Sequence, residues 1–232
     1  MFEEGGFTML EIRKLLKPVM ATALALALPV SAGAVTVKVY DTRGPEVELA
    51  SITDNGAGDL DPTAGSLVAS TSSVAGYGLS LQTALVAGYP PLDHLTSTLN
   101  LGAGDGSIRI EVSHHFSSAM PSPAQGIGSV TNNFVLFAGS VVSDIYLATS
   151  LFGKDSLIAS TSGDLTSASA HVTFDPSDYY ITQVFTVSGP AASGGTANSE
   201  WLAPVPLPAA GLMLLAGLGG MAAFGRRRKK AA

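Results

Sequence analysis

The chain has 232 residues, no cysteine and a formal net charge of −6 at pH 7. The lack of cysteine excludes disulfides, thiolate catalysis and cysteine-ligated metals. The basic residues gather near the two ends, so residues 35–203 contain four of them against 15 acidic residues and carry a net charge of −11. A domain this acidic has no basic surface for nucleic acid, and we predict no nucleic-acid partner.

Residues 1–34 have the organisation of a secretory signal peptide. Basic residues precede an apolar stretch at 19–30, which is followed by the small residues Ser-Ala-Gly-Ala. Ala32 and Ala34 form an A-x-A site, which predicts cleavage after Ala34. The acidic start of the chain is unusual for a signal peptide, so Met9 is an alternative first residue.

Residues 35–188 are predicted to form the exported domain. Alternation of apolar and polar residues is clearest at 35–39, 107–113 and 179–187. Weaker strand signals lie at 47–53, 67–73, 79–86, 95–101, 134–138, 141–149, 157–162 and 168–174. Glycine, proline and asparagine mark turns between these segments. The pattern predicts an all-β fold, an antiparallel β-sandwich or jelly roll. Residues 138–149 also fit one helical face, but their β-branched residues favour a strand.

One acidic loop follows the second predicted strand. Asp54, Asn55, Asp59 and Asp61 supply the hard oxygen ligands that calcium prefers, although their spacing is not that of an EF-hand. The alternative is a turn in which these side chains bind their own backbone. Calcium is the one cofactor that the sequence leaves open.

Catalytic motifs are absent from the sequence. The four histidines lack zinc-site spacing, and the chain contains no G-x-S-x-G elbow. Adjacent His114 and His115 would point to opposite faces of a strand, whereas Glu46 and Glu48 would share one face. Two carboxylates can hydrolyse glycosides, but a solvated sheet edge explains this pair equally well. We therefore predict no catalytic residue, with a secreted hydrolase as the less favoured alternative.

Residues 189–204 are rich in glycine, serine and alanine, which predicts a linker. Trp201 leaves two further interpretations open. It could belong to a closing strand, or it could anchor the chain at the level of lipid headgroups.

Residues 205–232 have the organisation of a membrane-sorting tail. An apolar run at 209–224 would span about 24 Å as a helix, which is short for a bilayer. Basic residues at 226–230 would hold its end in the cytoplasm and place the preceding chain outside. The proline-containing motif consists of Val205, Pro206, Leu207, Pro208 and Ala209, and the basic stop of Arg226, Arg227, Arg228, Lys229 and Lys230.

The order of motif, apolar helix and basic end resembles the VPLPA variant of the PEP-CTERM sorting signal. The resemblance implies that a membrane-embedded exosortase-type transpeptidase recognises the tail and cleaves near the motif. It also implies extracellular polysaccharide as a partner, because such proteins are associated with the matrices of Gram-negative bacteria. Residues 52–62, 180–187 and 197–198 resemble pieces of PEP-CTERM ectodomains, β-rich modules of uncharacterised function.

These observations together predict an exported cell-surface or extracellular-matrix protein. It would be anchored in the inner membrane by its C-terminal helix and processed at the sorting signal. The alternative for the exported domain is a calcium-dependent carbohydrate-binding or adhesive module.

Overall fold

The computed structural model describes residues 34–89, 92–117, 122–136 and 139–204. Within these ranges the chain forms eleven β-strands and no helix. The strands are β1 (Thr36–Asp41), β2 (Val47–Thr53), β3 (Ser66–Val74), β4 (Tyr77–Tyr89), β5 (Leu92–Leu101), β6 (Gly104–Phe116), β7 (Ala124–Leu136), β8 (Ser140–Ala148), β9 (Ser156–Ser162), β10 (Thr166–Phe174) and β11 (Tyr179–Pro204).

Strand β11 has 26 residues and belongs to two sheets. Its first half, residues 179–188, pairs with β6 on one side and β8 on the other. Its second half, residues 195–204, pairs with β5 and β7. The first sheet therefore has the order β2-β1-β6-β11-β8-β9, and the second has the order β3-β4-β5-β11-β7-β10. All pairs are antiparallel, which confirms the predicted sandwich.

Strand β11 turns from one sheet into the other at 189–194. Gly189 and Gly194 have φ angles of 80° and 76°, a left-handed conformation that favours glycine. A Cβ atom on Gly194 would lie 2.2 Å from the carbonyl oxygen of Leu101. The glycines are thus required by a crowded corner, where the register with β7 also shifts.

This corner makes the predicted linker at 189–204 wrong, and the domain boundary at 188 with it. Small residues are typical of flexible linkers, but they are also required where a strand bends against its neighbours. Trp201 is fully buried, so it belongs to the closing strand and does not anchor the chain at lipid headgroups.

The core lies between the two sheets. Trp201, Phe174 and Tyr179 form an edge-to-face aromatic cluster, with ring centroids 4.6–6.1 Å apart. A Cβ atom on Gly126 would lie 2.0 Å from Trp201 Cη2, so β7 needs glycine at that position. Gln183 of the first sheet donates from Nε2 to the carbonyl oxygen of Leu95 in the second, at 3.3 Å.

The remaining strand predictions agree with the structure, with one partial miss. Residues 138–149 contain β8, so the strand interpretation is confirmed over the helical one. Strand β7 begins at Ala124, ten residues before the predicted start at 134. The missed part contains Gly126 and Gly128, which lower β propensity but leave room for side chains of the core. No helix among the described residues is long and apolar enough to span a membrane, and the predicted helix at 209–224 lies outside them.

We predict that a fragment of residues 35–204 folds, whereas residues 35–188 do not. The shorter fragment loses the central strand of the second sheet and the buried Trp201. Near-UV circular dichroism and urea unfolding should show a cooperative transition for the longer fragment alone. A native-like cooperative transition in the shorter fragment would contradict the shared-strand architecture.

Candidate functional site

The predicted sorting residues lie outside the described part of the chain. This holds for the motif at 205–209, the basic stop at 226–230 and Ala32. Ala34 is described and exposed, and Val35 next to it is fully buried. Cleavage after Ala34 stays a prediction, and it would leave Val35 in the core.

The acidic loop joins β2 of the first sheet to β3 of the second, and Asp59 is its hub. One carboxylate oxygen, Oδ1, accepts hydrogen bonds from the amides of Asp61 and Val68, at 2.9 and 3.0 Å. The other, Oδ2, accepts from the amide of Asn55 at 2.8 Å. Partial burial by itself would raise the pKa of Asp59, but these three amides lower it below its usual value.

The other acidic residues of this loop are bound in the same way. Asp54 Oδ2 accepts from the amide of Gly65 at 2.7 Å, and Asp61 Oδ1 accepts from the amide of Thr63 at 2.9 Å. The structure thus brings the four predicted ligands onto one loop, with carboxylate oxygens directed at backbone amides. This geometry fits the turn interpretation. Nowhere in the described ranges do three His, Asp or Glu side chains form a metal-binding group, and calcium binding stays a prediction.

The histidines occupy four different environments. His114 is fully buried on the core side of β6, where its ring packs edge-to-face against Phe116 with ring centroids 4.5 Å apart. His115 points outward, pairs with Asp178 and stacks on Tyr180, with ring centroids 4.6 Å apart. His94 lies 2.9 Å from Glu200, and His171 is exposed on β10. The histidines are thus dispersed over the fold.

Glu46 and Glu48 are each engaged by a different cation. Arg109 contacts Glu46 through both terminal nitrogens, with Nη2 2.6 Å from Oε1. Lys38 Nζ lies 2.9 Å from Glu48 Oε2. The pair considered for glycoside hydrolysis therefore belongs to ion pairs on the outer surface of the first sheet.

Further ion pairs continue across this surface. Glu111 is only 3% exposed, and its Oε1 lies 2.8 Å from Arg109 Nε and 2.5 Å from Lys154 Nζ. Arg43 pairs with Asp41 at 2.5 Å. Every Lys and Arg of the described residues is thus ion-paired, and all of these pairs belong to the first sheet and its loops.

The loop at 149–155 covers the outer face of the first sheet. The amide of Phe152 donates to Ser113 Oγ at 3.1 Å, and Lys38 Nζ lies 5.1 Å from the centre of its ring. Asp155 closes the loop by accepting from the amide and hydroxyl of Thr149, at 2.8 and 2.7 Å. Ser113 is consequently fully buried although it points away from the core.

The outer face of the second sheet has a different chemistry, which sequence reasoning missed. Its strands place outward side chains in register, so that Gln82 faces Thr98, Thr98 faces Asn198, and Asn198 faces Thr131. We call this surface the polar face. Its polar members are Ser66, Ser70, Ser80, Gln82, His94, Thr96, Thr98, Asn100, Gln125, Ser129, Thr131, Asn133, Ser167, Ser169, His171, Thr173, Thr196, Asn198 and Glu200. The Thr-x-Thr-x-Asn alternation of β5 is a sequence signal for this face, but the composition of the neighbouring half of β11 is that of a linker.

A cavity of about 230 Å³ lies between β1–β2 and β3–β4. Its lining is mainly aliphatic, with Val37, Ile52 and Leu81 among its members, and contains no ionisable side chain. General acid–base catalysis requires a titratable group beside the substrate. This cavity therefore gives no support to the hydrolase alternative.

Residues 204–229 match the family model of the PEP-CTERM protein-sorting motif. The chain therefore carries a PEP-CTERM sorting signal at residues 204–229. Its match begins at Pro204, the last residue of β11. This PEP-CTERM protein is accordingly exported and sorted through its C-terminus, and the signal implies an exosortase-type processing partner. The match covers the tail and leaves the ectodomain unassigned.

Comparison with curated protein sequences found no significant match. Among solved structures, the A domain of epithelial adhesin 6 from Candida glabrata, in complex with Galb1-3GlcNAc, is 9% identical. The alignment covers 73% of this chain and 79% of that one, with a TM-score of 0.34. A mannan-recognising carbohydrate-binding module, TmCBM27, is 10% identical over 60% of this chain and 89% of its own, with a TM-score of 0.28.

A β-glucosidase from Kluyveromyces marxianus in complex with glucose is also similar, at 9% identity and a TM-score of 0.34. The alignment covers 75% of this chain but only 19% of the β-glucosidase. TM-scores in this range do not extend the ligands or the activity of these proteins to the PEP-CTERM protein.

We predict that Asp59→Ala destabilises the ectodomain by about 1–3 kcal/mol, because three backbone amides lose their acceptor. Urea unfolding measures the loss, and Asp175→Ala, which removes the acceptor of the single amide of Ser177, is the control with a smaller expected loss. The loss should be equal in EDTA and in millimolar calcium. Stabilisation of the native protein by calcium that Asp59→Ala abolishes would instead establish the metal site.

We predict that the ectodomain loses stability between pH 6.5 and pH 4 through His114. Burial lowers the pKa of His114 from 6.5 to about 4, so in this interval the unfolded chain binds the proton more readily. A pKa depression of this size corresponds to a loss of about 3 kcal/mol in the free energy of unfolding. Unfolding free energies measured across this range should fall less steeply for His114→Leu than for the native protein. His171→Leu, at an exposed position, is the control for the loss of an imidazole, and equal slopes for His114→Leu and the native protein would refute the assignment.

Proposed function

We propose that this PEP-CTERM protein is held in the inner membrane by its tail and cut near 205–209 by an exosortase-type transpeptidase. The ectodomain then reaches the cell surface or the extracellular matrix. There it acts by binding, with polysaccharide as the partner that the resemblance implies. Its strongly negative charge argues against nucleic acid as a partner.

The position of the sorting signal relative to β11 carries this proposal. The match begins at Pro204, which is paired with Leu92 in the second sheet. A cut at 205–209 would therefore leave every described strand pair of both sheets intact. The released product would be a complete sandwich, as a stable surface protein requires.

The placement of the acidic side chains supports binding over catalysis. Glu46 and Glu48 are neutralised by Arg109 and Lys38. Asp59 is occupied by backbone amides. Acids held in this way are poorly placed to exchange protons with a substrate.

We predict that mass spectrometry of the exported protein finds its C-terminus within or next to residues 205–209 in a host that has the sorting enzyme. Replacing Pro206 and Pro208 by alanine should block this cut, because the motif is the recognised element. A matched variant with Pro45→Ala and Pro62→Ala, two prolines outside the signal, should be processed normally. If the exported protein retains residues 226–230 in such a host, the cut does not take place and the tail serves only as a membrane anchor.

A further inference from the structure

The two outer faces of the sandwich differ in charge and in covering. The first sheet carries ion pairs around Glu111 and is overlaid by the 149–155 loop. The polar face of the second sheet contains no Lys or Arg. Its one acid, Glu200, lies 2.9 Å from His94. Of the two outer faces in the described ranges, the polar face is therefore the one that exposes mainly uncharged hydroxyl and amide groups.

The polar face is also regular. The β5–β11 and β7–β10 pairs have no register shift. The β4–β5 and β7–β11 pairs each have one register shift, and both shifts lie outside the paired positions that form the polar face. Neighbouring strands are about 4.8 Å apart, and side chains on one face recur about every 6.7 Å along a strand. Along the row of Gln82, Thr98, Asn198, Thr131 and Ser167, a linear polymer that crosses the strands would meet a hydroxyl or amide on β4, β5, β11, β7 and β10. Thr98 Oγ1 already donates to Asn198 Oδ1 at 2.9 Å, so neighbouring strands share this hydrogen bonding.

The chemistry of this face restricts its partner. Hydroxyl and amide groups both donate and accept hydrogen bonds, as do the hydroxyl groups of sugars. An anionic polymer would find no Lys or Arg here and would be repelled by the net charge of −11 on residues 35–203. A second copy of the chain would meet the same repulsion, and stable homodimer interfaces are more apolar than this surface.

We propose that the polar face binds a neutral polysaccharide. This inference rests on the proposed function as a surface or matrix protein and assigns its ligand to one face of the sandwich. The binding needs no metal ion, because the hydrogen-bonding groups belong to the strands.

Affinity electrophoresis of the full chain in a mild detergent tests the proposal. Native gels contain galactomannan, a β-1,3-glucan or dextran as neutral polymers, and alginate as the anionic one. The face variant combines Gln82→Ala, Thr131→Ala and Asn198→Ala, all at exposed positions. The control variant combines Ser51→Ala, Thr53→Ala and Ser160→Ala, which are exposed on the first sheet.

At least one neutral polymer should retard the native chain and the control variant, with or without EDTA. The face variant should bind about tenfold more weakly or worse, because a tenfold change needs about 1.4 kcal/mol and three hydrogen bonds contribute at least that much. Absence of retardation by all three neutral polymers would overturn the proposal. So would equal retardation of both variants, or retardation by alginate alone.

The outcome of the electrophoresis does not depend on sorting. Sorting is tested separately, by the position of the C-terminus in mass spectrometry. A protein that is correctly cut and yet not retarded by any neutral polymer would refute the polar face and leave the sorting proposal standing. Retardation of a chain that retains its tail in a host with the sorting enzyme would refute the processing and leave the polar face standing.

Discussion

One strand occupies the centre of both sheets, and the rest of the fold depends on it. Each half of β11 has hydrogen-bonded neighbours on both sides. Its inward side chains, Phe185 in the first half and Trp201 in the second, enter the same core. A strand can change sheets in this way only where its backbone bends sharply, which the glycines at 189 and 194 permit. Without β11, each sheet would be divided at its middle.

The connection between the outer strands explains why the acidic loop is structural. Strands β2 and β3 lie at the same lateral edge of the two sheets, and the 54–61 loop crosses between them. An edge of this kind leaves backbone amides without strand partners. Asp54 and Asp59 accept hydrogen bonds from the amides of Gly65 and Val68 at this crossing, so the carboxylates take the place of a neighbouring strand.

The distribution of charge follows from the same architecture. Glu111 is almost fully buried beneath the 149–155 loop, and an unpaired carboxylate there would be costly. Arg109 and Lys154 compensate it, which uses half of the four cations of the domain. The four cations are thus held at the first sheet and its loops, and the outer surface of the second sheet carries neither Lys nor Arg.

Local pattern was sufficient to predict most strands, because alternation in segments such as 107–113 records which side chains face the core. It also placed His114 and His115 on opposite faces. The corner of β11 could not be predicted, because a flexible linker and a sharply bent strand are both rich in glycine and serine. The polar face depends on pairing between Thr98 and Asn198, residues 100 positions apart, and register of that range is not encoded in either segment alone.

The location of β11 at the end of the described chain connects folding to sorting. The partners of its second half lie in β5 and β7, so the second sheet closes by long-range contacts, which form slowly. An exported chain that emerges from its N-terminus presents these partners before their central strand. The second sheet cannot close before its central strand, which ends at Pro204, is available, and the sorting signal begins at that residue. Under the proposed processing, the cut would fall directly after this strand and would leave all the described strand pairs in the released product.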